Sequence, residues 1–557
     1  MPKHDYAQFF PHAKIRDVQR TAIEFIIDAY ESGKRYVIAE LGTGLGKSAI
    51  ALTIARYLEA YDDRVIDDLG HLVTGAYVLT TQKVLQQQYL DDFGPGVGPT
   101  KNLMFSIKSA NNYKCCFYQD QSCAESRRII SQLGNKIAGS EFAKHCGKGG
   151  CCQYALDKKT FLESPIALTN FSYFLAETVY GRQLTPRRLL VVDEAHCIES
   201  ELSKFTEVTF SEKFAKDVLN VKLLLVRDHE QSQVFDWVCN AYKTQLQKHI
   251  AKLQKVIRSK VNESAAGFGE ASKQYELLSK HLSKVDRFID AYSDGNWVMN
   301  TLTVPSGKRM IRKFEFKPIN VSRYGHEALF KFGNKVLMLS ATIVDKDIFC
   351  DSIGLPTSDV AYINIPSPFP VENRPVHFIP AGSMSMKNID VTLPVMAEAV
   401  KMILEQHPNE KGMIHAVSYK VAQFIAAHVN SPRLLLHDAL NREQVLQHHI
   451  AGSDPTVLLS PSMMEGINLA DDASRFQILC KVPFPYLGDA VIKKRMESNR
   501  SWYTYQTAKS IIQALGRSIR NENDYAVSYI LDLDWRRFYD SNKRLFPEEF
   551  RRTLSNH

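Results

Sequence analysis

The feature that most constrains this chain is a glycine-rich segment that joins a short apolar run to a helical pattern. The segment reads AELGTGLGKSAIAL, from Ala39 to Leu52, and Leu41 stands where the full pattern G-x-x-x-x-G-K-[ST] has its first glycine. Such glycines let backbone N–H groups converge on phosphate oxygens, while the lysine adds a charge and the serine a hydroxyl for magnesium. The residues predicted to hold the phosphates are Gly42, Thr43, Gly44, Leu45, Gly46, Lys47 and Ser48.

A second signal favours nucleotide hydrolysis over a plain glycine-rich turn between a strand and a helix. An apolar run that begins at Leu189 ends in the sequence DEAH, residues 193–196. A strand that delivers two adjacent carboxylates supplies what hydrolysis needs, because one can hold magnesium while the other activates the attacking water. We therefore expect Asp193 to bind magnesium together with Ser48, and Glu194 to be the catalytic base.

The C-terminal part of the chain supplies a complementary pair of arginines. The segment QALGRSIR, from Gln513 to Arg520, places Arg517 and Arg520 three residues apart, and therefore on one face of a helix. Arginines at this spacing can reach across a cleft to the γ-phosphate and stabilise the charge that develops during phosphoryl transfer. Because Glu194 and both arginines are present, a nucleotide switch that binds without hydrolysing is disfavoured.

Short apolar runs rich in β-branched residues recur in two series, at 36–340 and 412–531, with helical patterns between them. This alternation predicts an α/β fold with two parallel-sheet domains in tandem. Two stretches break it and read as insertions into the first domain: a cysteine-rich one over 111–154 and a mostly helical one over about 199–321. In the second, apolar positions repeat along 243–260, which favours a helical hairpin with a solvated basic face over nucleic-acid contact.

Composition narrows the function classes. The 557 residues include 69 lysines and arginines against 61 aspartates and glutamates, and this net charge of +8 permits a polyanionic partner without requiring one. No apolar run approaches the ~18 to 20 residues that cross a bilayer, and the N-terminus has no signal-peptide pattern. We therefore expect no membrane association and a reducing compartment, which is the cytoplasm, the nucleoid or the nucleus.

The first insertion holds six of the ten cysteines, which indicates metal binding because disulfides are rare in reducing compartments. Four thiolates could hold a zinc ion or an iron–sulfur cluster, and reduced structural cysteines are a third alternative. The spacing fits the paired knuckles of a zinc ribbon poorly. The six are Cys115, Cys116, Cys123, Cys146, Cys151 and Cys152.

Taken in order, the motifs resemble those of the superfamily 2 helicases, and within them the XPD/DinG family of iron–sulfur DNA helicases. The phosphate loop and DEAH are shared with many ATPases, whereas SPFP, an EG segment followed by KVPFP, and cysteines between the loop and DEAH are specific to this family. The segments that carry the resemblance, between about residues 15 and 535, are RDVQRTAIEFI, AELGTGLGKS, VLTTQKVLQQQY, NNYKC, CCQYAL, ALTNFSYFLAE, VVDEAH, LSAT, SPFPVENR, SPSMMEGINL, KVPFPYLGD and QALGRSIR.

The resemblance implies two tandem RecA-like motor domains, the first carrying an iron–sulfur cluster insertion and a helical arch insertion. Motor domain 1 would occupy 1–110, 155–200 and 322–345; the cluster domain 111–154; the arch 201–321; and motor domain 2 346–557. Asn468 stands where the family has an aspartate, which leaves the role of that position open.

The resemblance also implies roles for individual residues. Gln19 would read the adenine, and residues 340–342 would couple the nucleotide to the DNA groove. The second wall of the ATP cleft would contain Glu465, Gly466, Gln513, Arg517 and Arg520. Single-stranded DNA would contact Thr80, Thr81 and Tyr173. The ligands of a [4Fe-4S] cluster would be Cys115, Cys123, Cys146 and Cys152, with Cys116 and Cys151 as adjacent spares.

The implied activity is that of an ATP-dependent DNA helicase that moves 5′ to 3′ along single-stranded DNA and unwinds duplex DNA, in DNA repair or replication. Its cofactors would be ATP, magnesium and the [4Fe-4S] cluster. Its partners would be single-stranded and tailed duplex DNA, with DNA–RNA hybrids as a further substrate, and the protein would be a monomer. The alternative is an ATP-driven translocase that displaces R-loops or bound proteins and unwinds plain duplex DNA poorly.

Overall fold

Two parallel sheets form the framework of the protein, as seen in a computed structural model. No helix of the described part is long and apolar enough to cross a membrane. The structure describes residues 5–61, 66, 72–81, 83–95, 103–116, 121–126, 152–181, 183–222, 230–260, 266–306, 309–438, 441–461, 469, 471–516, 518–519 and 524–555.

The first sheet has the strand order β10-β1-β9-β5-β2-β4-β3 within these residues, and every pair of neighbours is parallel. Parallel strands are covered by helices on both faces, which is why they read as continuous apolar runs in the sequence. The strands are β1 Tyr36–Leu41, β2 Ala76–Thr80, β3 Met104–Ser106, β4 Ile166–Asn170, β5 Arg187–Asp193, β9 Gly333–Ser340 and β10 Val360–Ile365.

The second sheet has the order β11-β16-β15-β12-β14-β13 in the described residues and is also parallel throughout. The predicted α/β fold with parallel sheets is therefore confirmed. The strands are β11 Val376–Gly382, β12 Gly412–His415, β13 Leu434–Leu436, β14 Val457–Ser460, β15 Phe476–Leu479 and β16 Val527–Asp532.

The helices that cover the two sheets and build the insertions follow in chain order. They are α1 Asp17–Glu31, α2 Lys47–Tyr61, α3 Lys83–Phe93, α4 Gln153–Glu163, α5 Phe171–Ala176, α6 Ile198–Thr206, α7 Glu212–Asp217, α8 Gln231–Trp237, α9 Lys243–Lys260, α10 Ala266–Ala291, α11 Ser322–Ala328, α12 Lys346–Ile353, α13 Ile389–Gln406, α14 Tyr419–Val429, α15 Arg442–Ala451, α16 Ala490–Ser498, α17 Arg500–Leu515, α18 Asp534–Asn542 and α19 Glu548–Thr553.

The first sheet extends past the domain boundary that the sequence placed at residue 345. Strand β10 pairs in parallel with β1, from Tyr36 opposite Val360 to Leu41 opposite Ile365. The chain therefore adds an edge strand to the first domain before it enters β11 of the second. The change between the two domains lies between residues 365 and 376.

The second insertion contains more than the helices that its charged sequence predicts. An antiparallel sheet of order β6-β8-β7 lies beside α6–α10 in the described residues, with β6 Val208–Ser211, β7 Trp297–Ser306 and β8 Arg309–Pro318. Phe314 and Phe316 alternate with charged residues along β8 and are buried, which is the period of a half-buried strand. Phe316 packs on Phe288 of α10, with ring centroids 4.8 Å apart. The buried apolar residues of this insertion form one hydrophobic core, which also includes Cys115 of the first insertion.

Candidate ATP and DNA sites

The phosphate loop lies between the end of β1 and the start of α2. Gly44 and Gly46 adopt φ values of 84° and 71°, in the left-handed region that favours glycine. The N–H of Gly42 donates to the carbonyl of Ile365 in β10, at 3.0 Å, and so fixes the start of the loop. The first N–H groups of α2 have no partner within the helix and suit an anion. The loop therefore has the backbone shape that phosphate binding requires.

Gln19 lies directly beside this loop. Its Oε1 accepts the N–H of Arg16 at 3.0 Å, and its Nε2 donates to the carbonyl of Leu45 at 3.0 Å. Beside it is a cavity of about 360 Å³, whose lining includes Phe10, His12 and Phe93. Flat rings next to a held amide offer a purine base both stacking and hydrogen bonding. The structure thus brings Gln19 and the phosphate loop to one cavity.

Asp193 is the last residue of β5 and is buried. Its Oδ2 accepts the hydroxyl of Tyr89 at 3.0 Å, and its Oδ1 accepts the N–H of Glu194 at 2.9 Å. Burial, and then the nearby charge of Glu194, raises the pKa of Asp193 to about 6, while the charge of Lys47 opposes the shift. A buried carboxylate beside a second acid is a favourable place for a cation, whose charge would stabilise the ionised form.

Glu194 has the left-handed backbone angles φ 53° and ψ 48°, which are uncommon for a residue with a side chain. Its Oε2 lies 3.3 Å from Nδ1 of His196, and that nitrogen lies 2.9 Å from Oγ of Ser340 at the end of β9. The expected coupling segment 340–342 is therefore in contact with the DEAH segment. His196 supplies this contact, a role the sequence did not reveal.

The second wall is only partly described. Glu465, Gly466, Arg517 and Arg520 lie outside the described residues, as does Asn468. Gln513 lies in α17 and is 7% exposed. Its Oε1 has no hydrogen-bond partner within the described part of the chain. A buried amide oxygen without a partner is rare in folded proteins, and a ligand or a moving segment can satisfy it.

The SPFP segment, residues 367–370, lies against the phosphate loop. The hydroxyl of Ser367 donates to the carbonyl of Thr43 at 3.1 Å. The ring of Phe369 approaches Gly44 so closely that a Cβ there would collide with it. Phe369 also packs against Ile519 of the second motor domain. The segment therefore connects the loop to the second wall. From the sequence it is recognised only as a motif specific to the family, and this contact is not predicted.

Glu40 is another functional candidate that sequence reasoning missed. It is 4% exposed in β1, immediately before the loop, and its Oε1 accepts the N–H groups of Ile343 and Val344 at 2.8 and 3.1 Å. Its Oε2 accepts the hydroxyl of Tyr362 in β10. Burial raises its pKa. The signal in the sequence was an acidic residue within an otherwise apolar strand.

A second cavity, of about 540 Å³, lies where β2 and β4 end. Thr81 and Tyr173, two of the three predicted DNA contacts, line it, and so do Lys158 and Lys280. Thr80 is fully buried in β2 and does not reach this surface. Each lysine forms an ion pair with a glutamate that lines the same cavity, Lys158 with Glu177 and Lys280 with Glu276. Aromatic rings such as that of Tyr173 are groups on which proteins stack single-stranded nucleic acid.

Three of the four predicted cluster ligands lie in the described residues, and all three are buried: Cys115, Cys123 and Cys152. The sulfurs of Cys123 and Cys152 are 3.7 Å apart. Burial, and then the neighbouring Cys152, raises the pKa of Cys123 to about 12. Converging buried thiols fit a metal group, since a bound metal would favour their thiolate forms.

The described thiols nevertheless form only part of a ligand set. Across the described ranges, no three side chains of histidine, cysteine, aspartate or glutamate form a group that could hold a metal ion. Cys146 and the spare Cys151 lie outside those ranges, and the other spare, Cys116, is exposed.

Two family models match the chain, one in each half. The model described as "Type III restriction enzyme, res subunit" matches residues 12–224, which include the phosphate loop and DEAH. The model described as "Helicase C-terminal domain" matches residues 400–553. Both halves of the ATP cleft therefore lie in segments with known relatives.

Similarity to one curated relative extends over nearly the whole chain. The ATP-dependent DNA helicase YoaA of Escherichia coli (strain K12) is 22% identical, over 95% of this chain and 93% of its own. The ATP-dependent DNA helicase CHL1 of Scheffersomyces stipitis is 23% identical over 24% of this chain and 20% of its own. The match to CHL1 is thus confined to a small part of that protein.

Solved structures show the same fold. An XPD helicase structure has a TM-score of 0.63 at 13% identity, with 96% of this chain and 99% of that one covered. The structure of S. tokodaii Xpd4 has a TM-score of 0.56 at 13% identity and covers 97% of this chain and 99% of its own. Together, the helicase domains, the relatives and the fold confirm the resemblance in the motifs. The chain is therefore similar to the XPD/DinG-type helicases of superfamily 2 in its matched domains and in its fold.

Proposed function

We propose that this protein moves 5′ to 3′ along single-stranded DNA at the expense of ATP and unwinds duplex DNA. One observation carries the proposal: the candidate ATP and DNA sites lie at the same edge of one parallel sheet. The phosphate loop and Asp193 follow β1 and β5, while the cavity with Thr81 and Tyr173 lies at the ends of β2 and β4. Ligands of open α/β sheets bind at this carboxyl edge. A change at β5 therefore acts on the adjacent strand β2, which leads into the DNA cavity.

The first motor domain supplies the binding groups and the base. Gln19 holds the adenine, the loop 42–48 surrounds the phosphates, and Lys47 neutralises part of their charge. Magnesium at Ser48 and Asp193 would supply further charge neutralisation on the phosphates. Glu194 orients the attacking water and accepts its proton.

The second motor domain completes the site. Arg517 and Arg520 stabilise the charge on the γ-phosphate during transfer, and Glu465, Gly466 and Gln513 line the same wall. The Oε1 of Gln513 supports this assignment, because it has no partner among the described residues and could accept a hydrogen bond in the closed, nucleotide-bound arrangement. ATP binding closes the two domains, and hydrolysis reopens them.

Closure of the two domains moves the protein along DNA because the domains bind the strand alternately. Thr81 and Tyr173 contact the DNA strand in the cavity. Thr80 is buried at the end of β2 and supports the backbone there. The expected substrates are single-stranded and tailed duplex DNA, with DNA–RNA hybrids as a further substrate. The protein acts as a monomer.

The first insertion holds a [4Fe-4S] cluster through Cys115, Cys123, Cys146 and Cys152. Three buried thiols on separate segments support this assignment, and zinc is the alternative. Unwinding has no redox step, so the cluster orders the insertion that separates the strands.

The test is strand displacement with ATP on duplexes that carry either a 5′ or a 3′ single-stranded tail. We expect displacement from the 5′-tailed duplex alone, together with ATP hydrolysis that single-stranded DNA stimulates. Displacement of R-loops or bound proteins without unwinding of plain duplex would instead establish the translocase alternative. An ATPase that ignores DNA would contradict both.

A further inference from the structure

A buried acid of the first motor domain is bound by the second domain. Glu199 lies in α6, five residues beyond the catalytic base Glu194. Its carboxylate accepts hydrogen bonds from Nε1 of Trp502 at 3.1 Å and from Nε2 of Gln506 at 2.9 Å. It also forms an ion pair with Arg495. These three partners lie on α16 and α17, about 300 residues away along the chain.

Water is largely excluded from this contact. The side chains of Arg495 and Glu199 are only 12% and 11% exposed. The guanidinium carbon of Arg495 lies 4.1 Å from the ring centroid of Trp502, which holds the arginine in a stacked position. Breaking a buried ion pair by removing one partner leaves an uncompensated charge, so the position of each group depends strongly on the other.

The same helix pair has further contacts with the first domain and its second insertion. Tyr505, one helical turn beyond Trp502, is 1% exposed and belongs to the hydrophobic core of the first domain. At the start of α16, the N–H of Ala490 donates to Oδ1 of Asn300 in β7 at 3.0 Å. The helices α16 and α17 are thus seated on the first domain around Glu199.

Each side of this contact leads directly to the ATP cleft. On one side, the end of the DEAH segment lies in a helical turn, Ala195–Cys197, and α6 begins at the next residue. On the other side, Trp502 and Gln513 both lie on α17, about 16 Å apart along the helix axis at the rise of an α-helix. A small rotation of α17 about Glu199 therefore moves the second wall toward or away from the DEAH carboxylates.

We propose that Glu199 is a positioning residue for ATP hydrolysis. Its carboxylate fixes the pivot about which α17 brings Gln513 and the two arginines beyond it to the γ-phosphate. The proposal rests on the function proposed above and assigns a residue outside both ligand sites. In this role, the Glu199 contact takes part in domain closure as well as stabilising the fold.

The experiment compares the variants Glu199→Gln, Arg495→Met and the double variant with the wild-type protein. The readouts are the ATP KM, the DNA-stimulated kcat and the midpoint of thermal unfolding. We expect Glu199→Gln to lower kcat at least about tenfold and to change KM less than about threefold, because misplacement affects the transition state more than ATP binding. The double variant should recover the unfolding midpoint, since no buried charge is left unpaired, while its kcat stays low.

Glu212→Gln is the matched control. Glu212 accepts a hydrogen bond from Nε of Arg312 at 2.9 Å, with 12% of its side chain exposed, but both partners lie within the second insertion. This variant also removes a charge from a partly buried ion pair. We expect it to keep the wild-type kcat and KM, since it does not connect the two motor domains.

Two results would overturn the positioning role: a wild-type kcat in Glu199→Gln, or recovery of kcat together with the unfolding midpoint in the double variant. If Glu199→Gln does not fold, Trp502→Phe keeps the ring, removes one donor to the carboxylate and should lower kcat a few-fold. An unchanged kcat in Trp502→Phe would then overturn it. Failure of the proposed function is distinguishable, because the wild-type protein itself would then lack DNA-stimulated hydrolysis.

Discussion

The two motor domains differ in how their described candidate ATP-site residues are held. In the first domain, Gln19, Asp193 and Glu194 all have hydrogen-bond or charge partners that hold them in place. In the second, Gln513 keeps a buried oxygen without a partner in the described residues. We therefore expect the first domain to bind ATP by itself and the second to act when the cleft closes.

The covering of the phosphate loop agrees with this division. Ser367 and Phe369 contact the loop from the connection to the second domain, while Glu40 joins the end of β1, before the loop, to Ile343. Glu199 fixes the second domain near the base, and the far end of α17 packs in the core of that domain. We therefore expect variants of the first domain's ATP-site residues to lose ATP binding or the catalytic base. Variants of the second domain's residues should lose turnover alone.

The largest effects are expected at Lys47 and Glu194. Glu194→Gln removes the base and leaves the binding groups, so ATP stays bound while hydrolysis falls on the order of 10⁴-fold. Lys47→Ala removes binding charge and should weaken ATP affinity as well. Both should abolish unwinding. The measurements are ATP binding by fluorescent analogue and DNA-stimulated turnover; near-normal hydrolysis by Glu194→Gln would remove Glu194 from the role of base.

Arg520→Ala tests the second domain. We expect a loss of turnover on the order of 10³-fold, because an arginine that contacts the γ-phosphate stabilises charge that develops only during transfer. ATP affinity should stay within a few-fold of wild type, which is the opposite of the pattern for Lys47→Ala. The comparison of the two variants in one binding and turnover assay separates the roles of the domains. An unchanged turnover number would place Arg520 outside the site.

Cys146→Ser tests whether the first insertion contributes to ATP hydrolysis or only to strand separation. The variant should lose visible absorption near 400 nm and all unwinding, while DNA-stimulated hydrolysis stays within about threefold, since the sheet and the ATP groups lie outside the insertion. A single replacement within either doublet, 115–116 or 151–152, can be rescued by its neighbour. Iron-free Cys146→Ser protein that unwinds a 5′-tailed duplex at the wild-type rate would contradict the structural role, and stoichiometric zinc in the wild type would contradict the cluster.

The sequence predicts the sheets well and the second insertion incompletely. Both faces of the parallel strands are covered, so each of β1, β2 and β5 contains a short apolar run that the sequence pattern reveals. In the second insertion the long amphipathic helices dominate the pattern, while β8 alternates phenylalanine with lysine and glutamate over only a few residues. Its partner β7 precedes it in the chain and shows the same period weakly. The strands were detectable only from that short alternation.

The candidate site divides in a similar way. The phosphate loop and DEAH are local patterns, since their chemistry needs particular residues close together in the chain. Glu40 and Glu199 contact partners about 300 residues away, and no local spacing marks such a contact. From the sequence alone, an acid in an apolar strand or at the start of a helix could equally be a helix cap or a solvated charge. Only the folded arrangement shows that each receives several donors.

The smallest effect is expected from Gln19→Ala, which tests whether the cavity beside the first domain's loop recognises the base. Both ends of the Gln19 amide already bind backbone groups, and each end keeps one further hydrogen-bonding position for a ligand. Its loss removes about one hydrogen bond to the adenine and loosens the loop at Leu45, so the ATP KM should rise about tenfold while kcat changes less.

Gln8→Ala, at an exposed glutamine near the same end of the chain, is the control and should leave KM unchanged. The ratio of kcat/KM for ATP and GTP should fall in Gln19→Ala alone, because an adenine-specific contact discriminates between the bases and a loop contact does not. A higher KM with an unchanged ATP-to-GTP ratio would show that Gln19 supports the loop without reading the base.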